Sequence, residues 1–133
     1  MKNDYREIKG EVYSLDGIIV YLYEKENDTI VVKDLDGKKI FLDASTYEEQ
    51  LQQVPLTRDI LVKNFFAVPS DEPKGVPANS NDKYKIEKDG KTLYFEVRDG
   101  EICWFEPNLK SYYEYRLTPV KYIDELQKIL SWR

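Results

Sequence analysis

Three glutamates, Glu96, Glu101 and Glu114, fall on successive β-prone runs in the last third of this 133-residue chain, with Arg98 and Arg116 among them. Carboxylates that project from neighbouring strands a few ångströms apart can divide acid and base work between them. The pattern therefore permits a carboxylate-dependent enzyme. Cross-strand Glu–Arg pairs on a solvated sheet face produce the same pattern and are the commoner arrangement.

Other routes to catalysis are narrower. The chain has no histidine, which removes Ser–His and Cys–His nucleophile pairs, His-ligated metals and the usual general base near neutral pH. Its single cysteine, Cys103, lies in the strand-like run Glu101-Ile102-Cys103-Trp104-Phe105 and reads as a small core residue. One cysteine also excludes an internal disulfide framework and a cysteine-based metal cluster. Asp34-Leu35-Asp36-Gly37 opens like a calcium loop, but Lys38 and Ser45 stand where the third oxygen ligand and the closing glutamate belong, so it reads as a hairpin turn. Neither the phosphate-binding loop nor the dinucleotide fingerprint occurs. No cofactor or metal is expected, and the balance favours binding over catalysis.

Aromatic residues give the strongest binding signal. The chain holds eleven tyrosines and two tryptophans, with Tyr112, Tyr113 and Tyr115 close to Trp104. Exposed Tyr and Trp dominate protein-binding hot spots and also stack on single-stranded bases. Most of these rings, however, suit core or half-buried strand positions. The segment from Pro69 to Asp82 carries three prolines and a glycine and reads as an exposed loop. Pro73, Val76 and Pro77 on that loop, together with Trp104, Tyr112, Tyr113 and Tyr115, form the expected contact surface.

The net charge is −5, with acidic and basic residues interleaved as in Glu24-Lys25-Glu26. A duplex nucleic-acid binder normally shows a basic face, and a nucleic-acid mimic needs long acidic runs; neither is present. The N-terminal residues lack the apolar stretch of a signal peptide and no run reaches membrane-spanning length, which predicts a cytoplasmic protein with a protein partner and no membrane contact.

The elements that would position these residues follow from turn signals. Asp16-Gly17, Asp36-Gly37, Asp89-Gly90 and Asp99-Gly100 each separate β-prone runs, and Asp-Gly suits a type I′ hairpin turn. The sequence predicts one α+β domain over 1–133 in three parts. Residues 1–44 form a β-rich meander, a small bent sheet or partial barrel with strands at 8–15, 18–24, 29–35 and 39–42. In the second of these, both sides are apolar, which predicts cover on both faces. Residues 45–82 form a helical and loop connector. Ser45 caps a first helix with Glu48 completing a capping box, Pro55 stops that helix near Gln53, and Thr57 caps a second short helix that runs into an extended tail. Residues 83–133 form a four-stranded antiparallel meander, one face buried and the other mixed, with strands at 83–88, 91–98, 101–106 and 111–117. A C-terminal helix packs on it, capped by Thr118, with Pro119 at its first position. On that helix Val120, Ile123, Leu126, Ile129 and Leu130 form an apolar stripe, with Lys121, Asp124, Glu125 and Lys128 opposite.

Two stretches carry a resemblance: Pro55-Leu56-Thr57-Arg58-Asp59-Ile60-Leu61-Val62-Lys63-Asn64-Phe65 and Lys121-Tyr122-Ile123-Asp124-Glu125-Leu126-Gln127. In order and spacing over about the last 80 residues, the chain resembles a group of small uncharacterised proteins of gut-bacterial phages and mobile elements. Their pattern is Pro-Leu-Thr-x-x-Ile-Leu-x-Lys-x-Gly-Phe, then Lys-Tyr-Val-His-x-Leu-Gln. Phe65 stands at the family's glycine and Asp124 at its helix histidine, so any role of that histidine is not carried over. The group has no established activity; the resemblance implies a genomic setting and no mechanism. The expectation is a non-catalytic accessory or inhibitor protein acting through protein contacts. An immunity protein that neutralises a toxin and a carboxylate-dependent enzyme are the alternatives.

Overall fold

The computed structural model describes residues 4–71, 82–107 and 115–131. Among the described residues the architecture is α+β: two antiparallel five-stranded sheets and three helices, preceded by a short 3-10 turn at Tyr5–Glu7. The chain divides into two compact units. One holds the residues up to Pro55 together with those from Tyr122 onward; the other runs from Leu56 to Lys121.

The first unit begins with the strands β1 (Val12–Leu15), β2 (Ile18–Glu26), β3 (Thr29–Asp34) and β4 (Lys39–Asp43). A short helix, α1 (Tyr47–Gln50), follows, and then β5 (Leu51–Gln53). The sheet order is β4-β3-β2-β1-β5, so β5 returns to pair with β1, Leu15 facing Leu51. The helix read as running from Ser45 towards Gln53 is thus one turn long and gives way to a strand. Ser45 is not its cap either, because its N–H and hydroxyl both donate to Asp43 Oδ1, at 2.9 and 2.8 Å. Thr46 holds the cap position, and its hydroxyl accepts from Gln50 Nε2 at 3.3 Å in place of a helix N–H. Val20, Ile30, Val32 and Leu42 form the core on one face of the sheet, with Tyr13, Leu22, Ile40 and Leu51 packed around them.

Cover on both faces of β2 is not what the structure shows. Ile18, at the start of the strand, is exposed, and so is Tyr23, which a bulge between Leu22 and Glu24 leaves without a partner on β3. The chain before β1 also lies against this bulge. A Cβ on Gly10 would sit 1.7 Å from the Leu22 carbonyl oxygen, so only glycine fits there.

The terminal helix α3 (Ile123–Ser131) belongs to this first unit, a correction to its expected place on the second meander. Its Gln127 accepts from Val12 N–H at 2.8 Å and donates to the Gly10 carbonyl at 2.9 Å, satisfying backbone groups at the start of β1. Ile123, Leu126 and Leu130 are buried, as the stripe predicts. Asp124, expected on the opposite, polar side, is buried too. Its carboxylate accepts from Gln53 Nε2 on β5 at 3.3 Å, a pairing that sequence spacing does not reveal.

In the second unit, Thr57 caps α2 (Arg58–Lys63) as expected, its Oγ1 accepting from Ile60 N–H at 3.2 Å. The helix closes on Phe66, whose φ of 56° lies in the left-handed region where glycine is usual, while Ala67 N–H donates back to the Leu61 carbonyl. An extended tail follows, as predicted, in β6 (Val68–Pro69). The strands β7 (Asp82–Lys88), β8 (Lys91–Arg98), β9 (Glu101–Pro107) and β10 (Tyr115–Pro119) complete the sheet in the order β10-β9-β8-β7-β6. Thr118 and Pro119 end β10 opposite Trp104 and Cys103 and do not open the helix, which starts four residues beyond Pro119. The strand ladder outcompetes the predicted cap.

Three of the four Asp-Gly pairs adopt positive φ at both residues, the type I′ geometry, with 52° and 85° at Asp16 and Gly17. Asp36-Gly37 differs. Only Gly37 has positive φ, and Asp34 Oδ1 accepts from the N–H groups of Asp36 and Lys38, both at 2.9 Å, which builds a wider loop.

Candidate functional site

Among the described residues, Glu96 and Glu101 do not form an open acid–base pair. Glu96 and Arg98, two residues apart on β8, share one face of the sheet. Cys103 lies opposite Glu96, and Glu101 opposite Arg98. Glu96 was expected on a solvated face, but only 1% of its side chain is exposed; both its oxygens accept from Arg98 Nη2, at 3.2 and 3.1 Å. Glu101 is exposed, and Glu114 lies outside the described residues. The Cys103 thiol is pushed up, first by burial and then by the nearby charges of Glu101 and Glu96, so it is not an activated nucleophile. Among the described residues no group of three His, Cys, Asp or Glu side chains could hold a metal ion.

The expected aromatic surface divides differently. Trp104 is 6% exposed; its ring stands on the face shared with Phe95, its partner across the β8–β9 ladder, and serves as core. Tyr112, Tyr113, Pro73, Val76 and Pro77 lie outside the described residues, as does the side chain of Tyr115.

Sequence reasoning missed the outer face of the first sheet. There Tyr21 on β2, Lys33 on β3 and Lys39 on β4 follow one another across the ladder. Lys33 Nζ lies 3.7 Å and Lys39 Nζ 5.4 Å from the centre of the Tyr23 ring, so two ammonium groups hold one half-exposed aromatic. Tyr23 is 47% exposed, and Phe41, two residues beyond Lys39 on the same face, is 65% exposed. Tyr21 and Tyr23 also line an open cleft of about 1270 Å³ with Tyr47, Ile8, Ile30 and Leu35. Asp4, Glu7, Glu24 and Asp36 stand on this cleft with Lys9 and Lys25, and Asp4 is already paired with Arg6 at 2.9 Å, so charges of both signs border it. The signal was the apolar run on both sides of β2, where the alternate residues are tyrosines fit for a wet surface and not aliphatics fit for a core.

Beneath the same sheet, Tyr13 donates to Glu11 Oε1 at 2.7 Å, and Lys128 Nζ lies 3.7 Å from Glu11 Oε2. Burial, followed by the Glu11 bond, pushes the Tyr13 hydroxyl well above its ordinary range. That phenol stays protonated and acts as a fixed donor.

Among the described residues no helix is long and apolar enough to cross a membrane. Comparison with protein-family models, characterised proteins and solved structures finds no match.

Proposed function

We propose that this chain is a non-catalytic protein-binding protein, and that its recognition surface is the tyrosine-lined cleft of the first unit. The observation that carries this reading is the convergence of Tyr21, Tyr23 and Tyr47 on one open concavity, with Tyr23 held beneath Lys33. Large, stiff side chains already fixed before binding lose little entropy on contact. The exposed rings and the mixed charges around the cleft favour a partner segment that brings apolar or aromatic side chains to the tyrosines. Against catalysis stand the missing histidine, the Glu96 carboxylate occupied by Arg98 and the unactivated Cys103 thiol. The resemblance to phage and mobile-element proteins supports an accessory or inhibitor role in the cytoplasm of a bacterial host.

The test is an affinity capture from such a host, with a Tyr21→Ala, Tyr23→Ala double variant beside the native chain. A stoichiometric partner that the native protein retains and the folded variant loses is the expected result. Equal retention by both would remove the cleft from the reading.

A further inference from the structure

We infer that a second copy of this chain pairs with the free edge of the first sheet, strand β4 against strand β4, in an antiparallel register centred on Phe41.

The backbone directions come first. In an antiparallel ladder the residues of a strand alternate between those whose N–H and C=O face the neighbour and those whose groups face away. Asp34 N–H donates to the Lys38 carbonyl at 3.0 Å and Ala44 N–H to the Asp28 carbonyl at 2.9 Å, so the even-numbered residues of β4 face β3. Lys39, Phe41 and Asp43 therefore direct their backbone groups to the open side. β4 is the last strand of its sheet, and the N–H and C=O groups of Lys39 and Phe41 have no partner there among the described residues. The Asp43 carbonyl accepts from Thr46 N–H at 3.1 Å and keeps a second lone pair. Unprotected edges of this kind are templates for another strand.

The side chains then select which strand. Lys-Ile-Phe-Leu-Asp reads as its own complement when turned end for end. With Phe41 opposite Phe41 of the other copy, each Lys39 stands opposite an Asp43 and each Ile40 opposite a Leu42. The outward row is then Lys–Asp, Phe–Phe, Asp–Lys, with opposite charges paired and an exposed aromatic at the two-fold axis. All three outward pairs join residues whose outward backbone groups meet, so each pair exchanges two main-chain bonds, the Asp43 carbonyl using its second lone pair. Phe41, 65% exposed on the single chain, gains a partner of its own kind. Because the two-fold axis stands perpendicular to the sheet, the Tyr23–Lys33–Lys39 faces of both copies lie on one side of a continuous sheet.

The test is the mass in solution of the full chain over a concentration series, by sedimentation equilibrium. The native protein passes from one chain to two as concentration rises. Lys39→Asp sets carboxylate against carboxylate at both outer pairs and stays a single chain throughout. Adding Asp43→Lys to it restores the complement with the signs exchanged and restores the dimer. A native protein that stays a single chain overturns the inference, as does a Lys39→Asp variant that dimerises equally well, or a folded double variant that does not recover. Asp43→Lys also removes the acceptor of Ser45. Should that variant not fold, Phe41→Pro decides the matter, since it deletes an outward N–H and leaves the bonds to β3 in place. Loss of the dimer supports the edge pairing, and its persistence ends it.

Discussion

The two sheets spend their aromatic residues in opposite ways. In the second unit Phe65, Phe95 and Phe105 are fully buried, together with Leu61, Ile86 and Ile102. In the first unit the fully buried side chains are aliphatic, Val12, Val20, Val32, Ile123 and Leu126, while Tyr23 and Phe41 face solvent. The aliphatic core of the first sheet leaves Tyr23 and Phe41 free for contact, whereas the second sheet spends Phe95 and Phe105 on packing; off the sheets, the exposed Phe66 and the buried Tyr5 do not follow this division. The two sheets are also pinned differently. Backbone approach at Gly10 and the Gln127 carboxamide fix the start of β1 in the first, whereas large buried side chains fill the second.

The sharpest way to break this contrast is a pair of matched truncations. Phe95→Ala removes a ring packed beside Trp104 and Tyr84 on the same sheet face and is expected to cost about 3–5 kcal/mol. Phe41→Ala, in dilute protein, is expected to change stability by no more than about 0.5 kcal/mol. Urea unfolding measures both. Equal effects would mean that Phe41 has a buried role and that the contrast fails.

The next effect tests the backbone side of the comparison. Gly10→Ala drives a methyl group into the Leu22 carbonyl, and about 1–3 kcal/mol of stability should be lost. A neutral result in thermal unfolding would show that the chain before β1 is not pinned to β2. The smallest effect lies on the second sheet. The Thr118 hydroxyl, followed by Arg116, holds the Glu106 carboxyl below its ordinary range. A depressed carboxylate adds stability above its unfolded value near pH 4.3, and that stability disappears as pH falls through the folded value. Thr118→Val should therefore weaken the fold by up to about 1 kcal/mol at pH 7. The gap to the native protein should close on acidification, which urea midpoints at pH 7 and pH 3 will show.

Local chemistry was legible. The Asp-Gly pairs placed the hairpins, Thr57 placed the start of α2, and the apolar stripe placed Ile123, Leu126 and Leu130 inward, because each depends on residues close together in the chain. The candidate site was not. Trp104 and Tyr23 are both aromatics on strands, and which of the two is covered depends on what packs across the sheet.

The sequence by itself determined three of the four Asp-Gly turns, the strands that those turns join and the short helix capped by Thr57, since these are decided within a few residues by φ preferences and side-chain-to-backbone bonds. The tertiary structure alone decided three things. It brought β5 back to β1 in place of a longer helix, assigned the terminal helix to the first unit, and buried Glu96 and Asp124 with Arg98 and Gln53 as their partners. The reason is physical: a strand edge, a helix face and a buried charge are each satisfied by groups distant in sequence, and burial is a property of what surrounds a residue, not of the residue.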